Sequence, residues 1–145
     1  MYTTRSHRRL VRDLAFKAIY QMEFQDLTPS ESVHRVCQME GVSSEFEDEI
    51  MEFVEGTFSK IEEIDKIISE RLVGWSLERL SSISKSILRL GTYELMHVPD
   101  IPIEVTINEA VELSKSYGTQ KDRKFVNGVL DRIAKKFAPP QKFEL

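Results

Sequence analysis

Cysteine is almost absent from this chain: Cys37 stands alone among 145 residues. A lone thiol excludes a disulfide framework and a thiolate metal cluster, and it suits a reducing compartment. Long apolar runs are missing as well. The N-terminus is basic, but Arg12, Asp13 and Lys17 interrupt the stretch from Leu10 to Tyr20, so no secretory signal core follows. No segment approaches the ~20 apolar residues of a membrane span. These absences predict a soluble, cytoplasmic protein with no membrane partner. The six glycines form no glycine-rich cofactor loop, and there is neither an internal repeat nor a low-complexity tract. A chain of this length buries a real core without a metal or a disulfide.

What the chain does have is charge, unevenly placed. Residues 1–20 hold five bases and one acid, net +4; residues 21–70 hold three and fourteen, net −11; residues 71–145 hold twelve and nine, net +3. The total of −4 excludes a uniform polyanion-binding coat. Local clustering, not net charge, is the mark of a nucleic-acid binder. The cluster here is arginine: Arg5, Arg8, Arg9 and Arg12 fall at i, i+3, i+4 and i+7, which on a helix gathers them within an arc of roughly 100°. Leu10, Val11, Leu14, Ala15, Ala18 and Met22 supply the opposite, apolar face, so the arginines are expected to point away from the core. The planar guanidinium binds phosphate bidentately and stacks on bases. The stripe therefore reads as a phosphate-tracking surface, its bland counterpart being a solvated helix face.

Helical period runs through nearly every segment. Thr28, Pro29 and Glu31 combine a capping box with proline at the first helical position, and Gly41 stands where a left-handed C-cap belongs. Ser44 followed by Glu47 opens a third helix carrying Phe46, Ile50, Phe53, Val54, Thr57 and Phe58. It either continues to Leu72 or breaks at Gly56 or Ser59. Ser76 caps a short turn, and residues 83–96 form a helix with Ile83, Ile87, Leu90 and Leu95 inward. Residues 103–107 alternate like a strand and residues 125–129 look like a hairpin turn. Ala110, Val111 and Ser114 extend the first pattern as a helix ending at Gly118, and Val129 and Ile133 extend the second, with Gly128 permitting close packing. The expected organisation is one domain over residues 1–138 and a loose tail over 139–145.

Three stretches together resemble the NusB family of bacterial transcription antitermination factors. They are RRLVRDLAFKAIY from Arg8 to Tyr20, SKSILRLGTYEL from Ser84 to Leu95, and VTINEAVELSK from Val105 to Lys115, which continues to KFVNGVLD from Lys124 to Asp131. Their order and spacing extend the resemblance over almost the whole chain. It implies an all-α fold of about seven helices in two packed three-helix groups. It further implies that, with the small-subunit ribosomal protein NusE, the chain binds the boxA element of nascent RNA as single strand and joins an antitermination complex on RNA polymerase, especially on ribosomal RNA operons. Carried over by position, the RNA-facing residues are Arg8, Arg9 and Arg12 with Lys121, Lys124, Phe125 and Asn127, and the NusE-facing residues are Tyr20 and Glu78. Where the family often has a third basic residue this chain has Leu10, which leaves the RNA surface weaker there or drawing on Arg5. Arginine forks, an aromatic ring and an amide suit the splayed phosphates and unstacked bases of single-stranded RNA. Phe125 and Asn127 could equally be packing and capping residues.

Such a role needs no catalysis and no cofactor. The rival reading is a metal-bearing helical bundle, because Glu31 with His34 and Glu94 with His97 repeat the Glu-x-x-His spacing of di-iron proteins. Glu31 is better used in the capping box, and His97 sits in a last turn before Pro99, where a cation suits the helix dipole. A second rival is a free-standing NusB-like domain related to RNA methyltransferases, whose catalytic domain is not expected here. Cys37 is expected to be a buried small hydrophobe. The acidic run of Glu45, Glu47, Asp48, Glu49, Glu52 and Glu55 reads as a solvated face, or as a surface for a basic protein.

Overall fold

A computed structural model of the protein describes residues 5–145, with Arg5 described by its backbone alone. Among the described residues there are seven α-helices, two short 3-10 turns and no strand. The chain divides into two compact units, Met1–Ser59 and Lys60–Leu145, where the sequence suggested a single domain over 1–138.

The first unit holds α1 (Arg5–Gln21), α2 (Pro29–Glu40) and α3 (Ser44–Ser59), each packed on the other two. Thr28 makes the expected reciprocal box: its backbone N–H donates to Glu31 Oε1 at 2.8 Å, and Glu31 N–H donates to Thr28 Oγ1 at 3.1 Å. Gly41 ends α2 in the left-handed region, φ 67°, and the next N–H, of Val42, reaches back to Cys37 O. Helix α3 begins one residue earlier than a Ser44 cap would give, with the Ser43 carbonyl accepting from Phe46 and Glu47. It runs through Gly56 and stops at Ser59, whose hydroxyl donates to Gly56 O.

The core of this unit departs from the expected face of α1. Leu14, Ala15 and Ala18 are fully buried and Val11 nearly so, but so are Phe16 and Ile19. These two follow Arg12 at i+4 and i+7, on the side where the arginines start. Thus the arginine side of the helix turns under along its length, and Arg12, at 4% exposed, already lies within the buried arc. Leu10, expected inside, is 38% exposed. Position relative to neighbouring helices overrode the apolar character of the residue.

The second unit holds α4 (Ile61–Arg71), a 3-10 turn at Leu77–Arg79, α5 (Ser82–His97), α6 (Ile103–Tyr117), α7 (Gln120–Phe137) and a last 3-10 turn at Pro140–Glu144. Helices α5, α6 and α7 pack mutually, and α4 lies on α5 and α7. α5 is buried on most sides, from Ser84 through Leu95, as befits the central helix of its unit. Arg89 on α5 holds Asp65 on α4 with two parallel bonds, Nε to Oδ1 and Nη2 to Oδ2, both 2.9 Å.

Both strand-like segments are helical. In α6 the buried positions are Thr106, Glu109, Ala110, Leu113 and Ser114, while Val105 is exposed. In α7 they are Val126, Val129, Leu130, Ile133 and Ala134. Val129 and Ile133 are buried as expected, whereas Phe125 is half-buried at the edge of the stripe and Val126 is buried beside it. Over fifteen or more residues a 3.6-residue period buries more apolar surface than a five-residue alternation can.

Of two glycine expectations, Gly118 as the C-cap of α6 holds and Gly128 as a close-packing site does not. Gly118 ends α6 with extended backbone. Gly128 is not a close-packing site, since an added Cβ would meet only Arg132 Nη1, at 3.5 Å. The close approach belongs to Gly91 on α5, where a Cβ would stand 3.0 Å from Leu130 Cδ1 of α7. Nor do residues 139–145 form a loose tail. Lys142 is 2% exposed and donates from Nζ to the Glu94 carbonyl at 2.8 Å, while the Glu94 side chain accepts from Thr106 Oγ1 at 3.0 Å. Burial pushes the Lys142 ammonium below its ordinary value, against the opposing pull of Glu94 and Asp100.

Gly91→Val should therefore destabilise the protein by about 1–3 kcal/mol through overpacking against Leu130, read as a lowered thermal midpoint by circular dichroism. Gly128→Val should shift the midpoint far less.

Candidate nucleic-acid interface

Each unit carries some of the candidate residues. On α1, Arg9 is exposed and Arg8 half-buried, while Arg12 is buried. The side chain of Arg5 lies outside the described residues. The exposed stripe is therefore narrower than four arginines. Arg9 shares the solvent side with Leu10. Further along α1, Tyr20 is half-buried in an aromatic ladder: its ring stacks on Phe16 at 5.8 Å and meets the exposed Phe24 edge-on at 5.0 Å.

In the second unit the site is built by the start of α7. Thr119 and Asp122 form a capping box: Asp122 N–H donates to Thr119 Oγ1 at 3.2 Å, and Thr119 N–H donates to Asp122 Oδ2 at 2.8 Å. The other carboxylate oxygen accepts from Ser84 Oγ at 2.7 Å and Ser81 Oγ at 3.2 Å, both at the start of α5. Burial pushes the Asp122 carboxyl up, but the Thr119 backbone bond and the Ser84, Thr119 and Ser81 hydroxyls outweigh it and hold it below its ordinary value.

With its first turn pinned, α7 presents Lys121, Lys124 and Asn127 to solvent. Asn127 lies mid-helix and exposed, so it is neither a cap nor a core residue. Phe125, at i+4 from Lys121, shares its face. Both line a groove of about 250 Å³ whose other walls include Trp75, Arg79 and Leu80. The Lys121 ammonium stands 5.6 Å from the centre of the Trp75 ring, a cation–π distance. Trp75 is 47% exposed. Sequence reasoning did not single out Trp75 or Arg79. The available signal was a lone tryptophan next to Gly74, in a stretch with no helical period. Glu78, between Trp75 and Arg79 in the chain, is exposed.

The rival chemistry finds little support. His34 lies 3.5 Å from Glu47, and His97 Nε2 lies 2.8 Å from Glu63 Oε1, on α4. Glu31 is spent on its cap and Glu94 on Thr106. Among the described residues no three His, Cys, Asp or Glu side chains are grouped to hold a metal ion. Cys37 is buried, and desolvation, with Glu47 adding to it, raises its thiol, the reverse of a nucleophile's environment. Part of the acidic run of α3 is engaged: Glu49 holds the buried His7 at 2.7 Å, with the His7 ring 4.8 Å from Phe46. No helix among the described residues is long and apolar enough to cross a membrane.

Fold and surface define a class: an all-helical protein that shows solvent arginines on one helix and lysines, an aromatic and an amide on another. The model of the NusB family matches residues 9–135, and the chain belongs to that family. The transcription antitermination protein NusB of Fervidobacterium nodosum is 43% identical over 144 residues, 97% of this chain and 99% of the relative. A solved structure of Thermotoga maritima NusB superposes with a TM-score of 0.90 at 44% identity, covering all of both chains. A crystal structure of the antitermination factors NusB and NusE in complex with dsRNA contains a chain matching at TM-score 0.85 and 30% identity, over 92% of this chain and all of that one.

Asp122 gives this surface a pH signature. Its folded value lies below the ordinary 3.8, so its contribution is complete above that value, declines as the pH falls through it, and is gone once both states are protonated. Asp122→Asn should lower stability at neutral pH by about 1 kcal/mol, the size of a lost helix cap. The gap between variant and parent melting temperatures should close on acidification.

Proposed function

We propose that this chain is a transcription antitermination factor that, together with a NusE-type ribosomal protein, binds boxA-type RNA as a single strand and joins an antitermination complex on RNA polymerase. The observation that carries this reading is the near full-length match to NusB proteins, one of them solved with NusE and RNA. Arg8 and Arg9 contact phosphates from α1. Lys121 and Lys124 do so from α7, while Phe125 offers a face for stacking and Asn127 an amide for a base edge. Arg5 extends the arginine row. Arg12, being buried, supports the α1 surface and does not reach RNA.

The related complex contains duplex RNA. The preference for a single strand rests instead on the half-buried Phe125 and the exposed Asn127, because side chains cannot read the deep, narrow major groove of A-form RNA. Tyr20, with the exposed Phe24 beside it, and Glu78 face NusE, an apolar and an acidic contact for a basic ribosomal protein. Binding and positioning account for the whole role, so the protein is not an enzyme, needs no cofactor, and works in the cytoplasm where transcripts emerge.

Two outcomes test this reading. Arg9→Ala should keep its melting temperature and weaken binding of labelled boxA-type single-stranded RNA by about 1 kcal/mol, with the log K against log salt slope reduced by about 0.7. Arg12→Ala should instead lose about 2 kcal/mol of stability, as removal of a buried guanidinium does. Unchanged affinity and slope for Arg9→Ala would remove α1 from the interface.

The second measurement is fluorescence anisotropy with and without NusE. RNA affinity should rise when NusE is present, the single strand should be preferred over its duplex, and Tyr20→Ala and Glu78→Lys should each reduce NusE binding more than RNA binding by the chain alone. Equal affinity for RNA in both conditions would count against joint recognition.

A further inference from the structure

We infer that the groove between the Trp75 segment and α7 is a stacking slot for one unstacked nucleobase of the bound RNA, with Trp75 and Arg79 as RNA-binding residues. This inference rests on the RNA-binding reading above. The groove has the wall chemistry of a nucleotide site: an indole half-exposed to solvent and the Phe125 ring, with the cations Lys121 and Arg79 among its other lining residues. A groove of about 250 Å³ has room for one base. Lys121 stands within cation–π range of Trp75, so a phosphate flanking a base stacked there meets positive charge at once. The slot is also continuous with the proposed RNA face, since Lys121 and Phe125 belong to both.

The one acid in the groove wall is Asp122. Its four acceptor positions are filled: Oδ1 takes the Ser81 and Ser84 hydroxyls, and Oδ2 takes the Thr119 N–H and hydroxyl. It therefore has no capacity left to read a base edge, and its charge is spread into four bonds. Recognition in the slot is consequently by π-face, which every base offers, and is tolerant of sequence. An apolar side chain of a protein partner would fill the groove too, but it would leave Arg79 and Lys121 without a counter-charge, and the cations favour the polyanion.

Trp75 is the only tryptophan in the chain, so its emission reports this slot alone. The test titrates the full chain, alone and with NusE, with end-labelled boxA-type single-stranded RNA, reading label anisotropy for binding and Trp75 fluorescence for stacking. Trp75 emission should be quenched in step with the anisotropy. Making one particular nucleotide abasic should relieve the quench and weaken binding about fivefold or more, whereas changing that base to another should matter little. Trp75→Leu should weaken binding by a similar factor and Trp75→Phe should retain most of it, each with the parent's melting temperature. Arg79→Gln should reduce the salt slope by about 0.7. The abasic scan uses the unaltered protein, so a misfolded variant does not blunt the test. Anisotropy that reports binding while Trp75 emission and every abasic strand stay unchanged overturns the slot and leaves the RNA reading standing. Quenching by NusE but not by RNA overturns it in favour of a protein contact. No RNA binding under any condition overturns the RNA reading itself, and the slot with it.

Discussion

The carboxylate of Asp122 is the constraint on which the second unit's surface depends. One side chain closes the capping box of α7 and ties it to the two serines that open α5. A helix start without such a tie leaves several N–H groups without partners and frays. Here the fixed first turn sets the direction of Lys121, Lys124 and Phe125, and Phe125 and Lys121 in turn form one wall of the groove that faces Trp75. A local cap thus becomes a positioning device for a binding surface. The same residue supplies acceptors for four bonds, so the acid stabilises the site without repelling a polyanion strongly.

The first unit solves a different problem. Helix α1 must give its unit a core and show cations to solvent within seventeen residues. It does so by rotating function along its length. Arg9 lies outside near the start, whereas Phe16 and Ile19, further along the arginine side, are fully inside. Arg12 sits at the turnover, and its long aliphatic stem and delocalised charge tolerate burial better than an ammonium would. Helix α5 shows the opposite economy. It spends nearly all its faces on packing, and Gly91 lets α7 come close enough for Leu130 to fill the space a side chain would take.

The helices were legible in the sequence because helical period and cap chemistry are local. The Thr28 box, the Gly41 turn and the helical reading of residues 103–107 and 125–129 all follow from groups within a few residues of each other. The break after Ser59 was open among three alternatives, since neither Gly56 nor Ser59 must stop a helix. The types of residue at the interface were legible too: arginine, lysine, an aromatic and an amide in recognisable patterns. Trp75 was not, because a lone ring in an aperiodic segment has no pattern to reveal whether it is covered or open.

By itself, then, the sequence determined which segments are helical, the family, and the chemistry offered to a polyanion, because each of these is written in short-range spacing. Only tertiary structure decided which side of α1 is covered, that Leu10 is exposed and Arg12 buried, that Lys142 is docked on Glu94, and that Trp75 and Phe125 line one groove. A helix fixes the angle between its own side chains. It does not fix which of those angles its neighbours will occupy, since that depends on contacts between residues far apart in the chain, and those contacts form only when the helices pack.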